Sequence, residues 1–71
     1  MGFTRLESIK KIYKPGDRLE LIHMEDSYAV PAGTHGTVTG VDDAGNVLMQ
    51  WDNGSTLSFL PGIDTCKRLG K

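Results

Sequence analysis

The sequence predicts a small, mainly β protein with five short antiparallel strands and one short α-helix at its N-terminus. Residues 33–62 contain three short apolar runs separated by two strong turn signals, which is the pattern of an antiparallel meander. Apolar residues recur at helical spacing only ahead of Pro15-Gly16. With 71 residues and 38% hydrophobic content, the chain can form one small core, and we expect no deep catalytic cleft.

The predicted helix begins at a capping box. Thr4 and Glu7 have the spacing at which a hydroxyl and a carboxylate exchange hydrogen bonds with free backbone amides. The apolar positions that follow at near-helical spacing are Leu6, Ile9, Ile12 and Tyr13. A helix this short is marginal alone, so we expect residues 1–14 to form a helix that caps one open end of a barrel formed by residues 15–71.

The first strand is predicted over residues 18–23, where apolar and polar residues alternate. Leu19 and Leu21 are expected to face inward, and Ile22 to face outward under the helix. Residues 24–32 then form the longest irregular segment. Such loops are where binding residues concentrate.

The hairpin after Trp51 is placed by its apolar pattern. A two-residue loop, Asn53-Gly54, would divide the large apolar residues between two faces, whereas a three-residue loop over 52–54 puts all five on one face. Gly54 then takes a left-handed conformation in which a Cβ would be strained. The pairs predicted on this basis are Trp51 with Ser55, Met49 with Leu57, and Val47 with Phe59.

The earlier turn, residues 42–46, is predicted as a four- or five-residue hairpin with a Gly or Asn in a left-handed position. Val38 and Val41 have odd spacing and cannot both face the core in a regular strand. We therefore predict a bulge or sharp bend at Gly40.

The chain is predicted to end with a tight turn at residues 61–64 and a last strand over 65–69, in which Cys66 points inward. The order is helix, strand, long loop, three-strand meander, one-turn connector and strand. This is the order of an SH3-like small barrel, so the predicted fold is a five-stranded antiparallel SH3-like barrel with a short N-terminal helix.

Several motifs together resemble one known family. They are Pro15-Gly-Asp-Arg-Leu-Glu-Leu-Ile, Met24-Glu-Asp-Ser-Tyr28, Gly33-Thr-His-Gly-Thr-Val, Val41-Asp-Asp-Ala-Gly, Trp51-Asp-Asn-Gly-Ser and Leu60-Pro-Gly-Ile-Asp64. Across about residues 14–69 the chain resembles domain-of-unknown-function family 4314. That resemblance implies an SH3-like barrel found in bacteria, their phages and conjugative elements, and it implies no established activity. The family pattern leads us to expect a basic or polar residue at position 35 and an aromatic residue at position 66. His35 and Cys66 depart from that pattern.

Charge is divided unevenly along the chain. Residues 1–18 and 67–71 hold all eight basic side chains and two acids, a balance of +6, while residues 19–66 hold seven acids and no Lys or Arg, a balance of −7. Any phosphate-binding surface is therefore expected near the termini. The simpler interpretation is that a helix and an edge strand carry solvated lysines.

The sequence offers little for catalysis. Cys66 with His23 or His35 would make a thiol–imidazole pair, but nothing beside Cys66 would activate it as a nucleophile. The adjacent acids Asp42-Asp43 and Glu25-Asp26 point apart and cannot share a proton. No recognised metal-ligand spacing is present. We expect a protein that is not an enzyme, with no catalytic residue, no metal site and no cofactor.

Candidate binding residues come from analogy with SH3-like barrels, whose ligand groove lies beside the long loop after strand one and the hairpin between strands three and four. By that analogy Tyr28, His35, Asp52 and Asn53 surround a site with Trp51 as its floor. The alternative is a structural role for each, and Trp51 is most simply a core residue.

Three functions stay open. The favoured one is a non-enzymatic binding module, encoded by a phage or mobile element, that binds and inhibits a host protein or complex such as a defence system. The first alternative is a homo-oligomer that sequesters signalling nucleotides, with Tyr28 or Trp51 stacking on a base and Arg18 among the residues that meet phosphate. The second is RNA or DNA binding, which is less favoured because no Lys or Arg interleaves with the aromatic residues along the sheet.

Location is inferred from what the sequence lacks. Residues 1–5 show no signal-peptide hydrophobic region, and no apolar run approaches the roughly 20 residues of a membrane span. The single cysteine, Cys66, cannot build a disulfide framework. We therefore expect a cytoplasmic protein that does not associate with membranes.

Overall fold

A computed structural model of the protein describes residues 5–69. These residues form one helix, α1 (Arg5–Ile12), and four strands, β1 (Arg18–His23), β2 (His35–Val41), β3 (Val47–Trp51) and β4 (Thr65–Arg68). The strands make one antiparallel sheet in the order β3-β2-β1-β4, which is not closed into a barrel. The proposed capping-box residue Thr4 lies outside the described residues.

The mainly β architecture with one short helix is confirmed, whereas the predicted fifth strand and barrel closure are not. Residues 55–60 form a single isolated bridge with β3, between Val47 and Phe59, whose two backbone hydrogen bonds measure 2.9 and 2.8 Å. In between, the Leu57 N–H donates to Ser55 Oγ at 3.2 Å, and the Leu57 carbonyl accepts from Trp51 Nε1 at 2.8 Å. Because side chains engage both backbone groups of Leu57, the predicted pair with Met49 is not part of the sheet.

The loop that connects β3 to this segment has the predicted three-residue form. The Trp51 N–H donates to the Ser55 carbonyl at 2.8 Å, and the Gly54 N–H donates to the Trp51 carbonyl at 2.9 Å. Gly54 has a φ of +94°, a conformation that glycine adopts without strain. The predicted pairs of Trp51 with Ser55 and of Val47 with Phe59 are therefore confirmed.

The turn between β2 and β3 also matches its prediction. Gly45 has a φ of +87°, and the Asp42 N–H donates to the Asn46 carbonyl at 3.0 Å. The register shifts between Val38 and Gly40, so the predicted bulge is confirmed. It allows Val38 to be buried and Val41 to pack against the core, despite their odd spacing.

One hydrophobic core lies on one face of the sheet. Its members are Ile9, Leu19, Leu21, Met24, Val30, Val38, Val47, Met49, Trp51 and Phe59. Tyr13 packs edge-on against Phe59, with ring centroids 5.4 Å apart. Cys66 is half-buried against this core, as its inward placement predicted.

Helix α1 packs on the chain's own sheet. Ile9 is buried in the core, whereas Ile12 is 54% exposed. The expectation that the helix covers Ile22 is wrong: Ile22 lies on the opposite face from Leu19 and Leu21 and is 44% exposed. Among the described residues, no helix has both the length and the apolar character needed to cross a bilayer.

Arg68 attaches the end of the helix to β4. Its guanidinium donates to the Ile12 carbonyl at 2.5 Å and to the Asp17 carboxylate at 2.8 Å. It also lies over the Tyr13 ring, 5.9 Å from the centroid. The C-terminal end of α1 is therefore held by a cation, as the helix dipole favours.

Candidate functional site

The loop of residues 24–32 is fixed at both ends and exposed in the middle. Met24 and Val30 are buried in the core, whereas Tyr28 is 85% exposed. Leu21 of β1 binds the chain just after the loop: its N–H donates to the Thr34 carbonyl, and its carbonyl accepts from the Gly33 N–H. The longest connection in the chain is thus an anchored loop.

A local turn fixes the backbone at Tyr28. The Tyr28 N–H donates to Asp26 Oδ1 at 2.8 Å, and the Ala29 N–H donates to the Asp26 carbonyl at 3.1 Å. This is the usual way in which an aspartate side chain stabilises a turn two residues ahead. The Tyr28 ring is therefore presented by an ordered backbone.

Asp64 joins this loop to the turn of residues 61–64. Its carboxylate is buried and accepts from the Glu25 N–H at 2.8 Å and from the Leu60 N–H at 2.9 Å. From the sequence, Asp64 is predicted only as an acid within a tight turn. A carboxylate that follows Pro61-Gly62 is typical of a turn cap. The other hydrogen-bond partner of Asp64, the Glu25 N–H, is 39 residues away in sequence.

Three connections meet at one end of the sheet: the loop of residues 24–32, the hairpin of residues 52–54 and the turn of residues 61–64. We call this the loop end. The opposite end, the helix end, carries α1 and the turn of residues 42–46, where Ile9 lies beside Gly45. The predicted site residues Tyr28, Asp52 and Asn53 all belong to the loop end, and within residues 5–69 no hydrogen bond or ion pair joins Tyr28 to the other two.

Arg18 and Asp52 form a bidentate ion pair on the outer face of the sheet. The two nitrogen–oxygen distances are 2.7 and 2.8 Å, and the guanidinium also donates to Thr37 Oγ1 at 3.0 Å. Hydrogen bonding from Arg18 lowers the pKa of Asp52, and hydrogen bonding to Asp52 raises the pKa of Arg18. An incoming phosphate would have to displace Asp52 from the guanidinium.

His35 lies next to this pair. Its carbonyl accepts from the Asp52 N–H at 2.9 Å, and its Nε2 lies 3.6 Å from the Glu20 carboxylate in the register position opposite. The structure therefore brings together Arg18, His35 and Asp52, three of the predicted site residues. The Arg18 side chain contacts Asp52 and Thr37, and the His35 side chain lies beside Glu20.

Trp51 occupies the core rather than the floor of an open site. Trp51 is only 1% exposed. Gly36 packs against it so closely that a Cβ at position 36 would lie 2.6 Å from Trp51 Cε3. In this conformation Trp51 presents no ring face to a ligand. Asn53 is exposed at the hairpin tip, where its Oδ1 accepts from the Ser55 N–H at 3.0 Å.

The Cys66 thiol is held in its protonated form. Burial, followed by the nearby Asp64 charge, raises the pKa of the Cys66 thiol to about 12, so the thiol stays protonated at neutral pH. Within residues 5–69, no three His, Cys, Asp or Glu side chains are grouped as metal ligands would be.

Comparison with known proteins gives one finding. Searches of curated proteins and of solved structures returned no match. A family model described as "Domain of unknown function (DUF4314)" matches residues 3–69, which is nearly the whole chain. The chain belongs to the DUF4314 family.

Proposed function

We propose that this protein is a non-enzymatic binding module that recognises another protein through the loop of residues 24–32, with Tyr28 as the main contact residue. The observation that carries the proposal is a tyrosine 85% exposed on a turn whose backbone is fixed. Tyrosine is enriched among the residues that dominate binding energy in protein interfaces, because its ring gives a large apolar area and its hydroxyl a polar contact.

The anchoring of the loop supports this role. The buried side chains of Met24 and Val30 and the hydrogen bond from the Glu25 N–H to Asp64 hold the loop backbone before any partner binds. A loop that is already ordered loses less conformational entropy on binding than a flexible one. Exposure without anchoring would be a weaker argument, since exposed apolar residues are common on protein surfaces.

The two alternative functions gain less from the geometry. A nucleotide binder would use Tyr28 or Trp51 for stacking and Arg18 for phosphate. Tyr28 is exposed, but Trp51 is buried and the Arg18 guanidinium is engaged by Asp52 and Thr37. A nucleic-acid binder needs cations beside its aromatic residues. The segment from residue 19 to residue 66 contains none.

The finer fold also belongs to the proposal. If residues 55–60 are counted beside β3, the order becomes 55–60, β3, β2, β1, β4. SH3-like barrels pair their strands in that order, which supports an open SH3-like fold for this chain. Its long loop after β1 then corresponds to the loop that borders the ligand groove in such folds.

The partner in this proposal is a bacterial host protein, such as a component of a defence system, that a phage or mobile element inhibits within the cytoplasm. Support comes from the sequence resemblance to a family found in phages and conjugative elements. Inhibition by binding also suits a chain of 71 residues, since occupying a partner's surface requires no catalytic site.

Affinity capture from bacterial lysate at near-physiological salt tests the proposal. The wild-type chain is compared with Tyr28→Ala and with Ile12→Ala, which removes another exposed apolar side chain, on α1. We expect a partner that Ile12→Ala still retains and that Tyr28→Ala binds about 30-fold more weakly, as for a strong interface residue. Equal retention by both variants, or no retained protein, would contradict the proposal.

A further inference from the structure

The surface around Tyr28 carries negative charge. Glu25 and Asp26 precede it in the same exposed loop, and the chain has no Lys or Arg between residues 19 and 66. The Arg18 guanidinium, which reaches toward the loop end, is neutralised by Asp52. The lysines of α1 and of the segment after it lie at the helix end, and Lys67 of β4 lies opposite the acid Glu20 in the sheet.

The Asp26 carboxylate is held close to Tyr28. Its Oδ1 accepts from the Tyr28 N–H, and within residues 5–69 its Oδ2 accepts no hydrogen bond. Glu25 is exposed, and its carboxylate lies 2.5 Å from His23 Nε2. Asp26 is therefore the carboxylate best placed to meet a partner that contacts the Tyr28 ring.

We infer that the partner surface is basic, and that an arginine side chain of the partner packs on the Tyr28 ring while it pairs with the Asp26 carboxylate. A guanidinium suits both contacts, because it is planar enough to stack on an aromatic ring and offers paired donors to a carboxylate. This inference rests on the proposed function and names the chemistry of its partner. Charge complementarity of this kind also speeds association and makes it sensitive to salt.

The test is a titration of the full-length ¹⁵N-labelled chain with a capped Gly-Arg-Gly peptide, followed by backbone amide shifts. A capped Gly-Glu-Gly peptide is the control ligand. The informative variant is Asp26→Asn, which removes the charge and keeps an oxygen that can accept from the Tyr28 N–H. Asp43→Asn is its matched control, because it makes the same charge change in an exposed turn residue at the helix end.

We expect saturable shifts in residues 24–32 with the arginine peptide and none with the glutamate peptide. Tyr28→Ala and Asp26→Asn should each weaken binding about two- to fivefold, which is the size of an exposed cation–π or ion-pair contact. Asp43→Asn should leave the affinity unchanged, and 300 mM salt should reduce it. The absence of saturable shifts in this loop, or equal weakening by Asp26→Asn and Asp43→Asn, would overturn the inference.

The two proposals fail in different ways. If Tyr28→Ala retains the lysate partner, the proposed function itself is wrong. If Tyr28→Ala loses that partner while Asp26→Asn binds it with unchanged affinity and salt dependence, the loop is the binding surface and the basic partner is wrong.

Discussion

The two carboxylate oxygens of Asp64 each accept a backbone N–H, one from Glu25 and one from Leu60. Buried amides without a partner are costly, so this side chain satisfies two groups that the fold would otherwise leave unpaired. It also connects the loop that presents Tyr28 to the turn before β4. At the scale of a single residue, Asp64 does most to order the candidate binding surface.

Asp64→Ala should destabilise the protein by about 1–3 kcal/mol, because it leaves two partly buried N–H groups without an acceptor. Asp64→Asn should cost less, since one oxygen remains. Urea unfolding followed by Trp51 fluorescence measures both. A change below about 0.5 kcal/mol for Asp64→Ala would mean that water or other groups replace the carboxylate.

Gly36 and Gly40 make a second, matched prediction in one strand. A Cβ at Gly36 would lie 2.6 Å from Trp51 Cε3, whereas a Cβ at Gly40 would approach nothing closer than 3.9 Å. Gly36→Ala should therefore cost about 1–3 kcal/mol by overpacking the core, and Gly40→Ala should be much better tolerated. Thermal unfolding of the two variants checks this, and equal stability would contradict the packing described around Trp51.

Residue patterns predicted some of these features and not others. Gly54 and Gly45 were predictable because a turn needs a left-handed residue and the sequence supplies one at the right place. The buried ends of the loop, Met24 and Val30, follow no short-range period, so only tertiary packing reveals them. The pairing of Arg18 with Asp52 spans 34 positions, and no local pattern encodes it.

At the level of elements, residues 55–60 show why an alternating pattern need not give a strand. The apolar residues share a face, as predicted, and the bridge at Phe59 has the predicted register. The ladder is interrupted because Ser55 and Trp51 bind the Leu57 backbone with their side chains. Side-chain competition for backbone groups is a known alternative to sheet pairing. The alternation of apolar residues in the sequence does not reveal it.

Helix α1 is anchored in the core through Ile9. Ile9 is buried in the core, while Ile12 is exposed on the same helix. Ile9→Ala should lower the free energy of unfolding by about 2–4 kcal/mol, whereas Ile12→Ala should change it by less than about 0.5 kcal/mol. Chemical denaturation with circular dichroism measures the pair, and equal effects would contradict the docking of α1 through Ile9.

Acid is expected to destabilise the protein by protonating three aspartates. Hydrogen bonds lower the pKa of Asp17, through Arg68, of Asp42, through Asn46, and of Asp52, through Arg18. A carboxyl group whose folded pKa is below its unfolded value of about 3.8 binds fewer protons when folded, so its stabilisation is present above about pH 4 and is lost as the pH falls through the lowered pKa.

The expected result is a thermal midpoint that is flat from pH 7 to about pH 5 and falls below about pH 4. Asp42→Asn should reduce this acid sensitivity, because the variant lacks one of the carboxyls that becomes protonated. Asp43→Asn, which makes the same charge change at the neighbouring exposed residue, is the control. A wild-type midpoint that rises on acidification would contradict the role of these ion pairs and turn bonds.

The whole molecule separates two ends with different chemistry. The helix end contains α1 with Lys10 and Lys11 and is packed through Ile9, whereas the loop end presents Tyr28 among acids. The composition of the sequence predicted a division of charge between termini and middle. Glu25 and Asp26 lie beside Tyr28 in the sequence itself, but the separation of this loop from α1 and its lysines could not be predicted without the topology of the sheet.

Native mass spectrometry tests the central claim most directly, with the tagged chain captured gently from a bacterial lysate in which host proteins are in excess. We predict a species whose mass exceeds the bare 7.8 kDa chain by that of a whole protein, present for wild type and Ile12→Ala and lost for Tyr28→Ala. Multiples of the chain with an added mass of nucleotide size would contradict the account and support nucleotide sequestration. A protein complex that persists in Tyr28→Ala would equally contradict it, because the contact would then lie elsewhere.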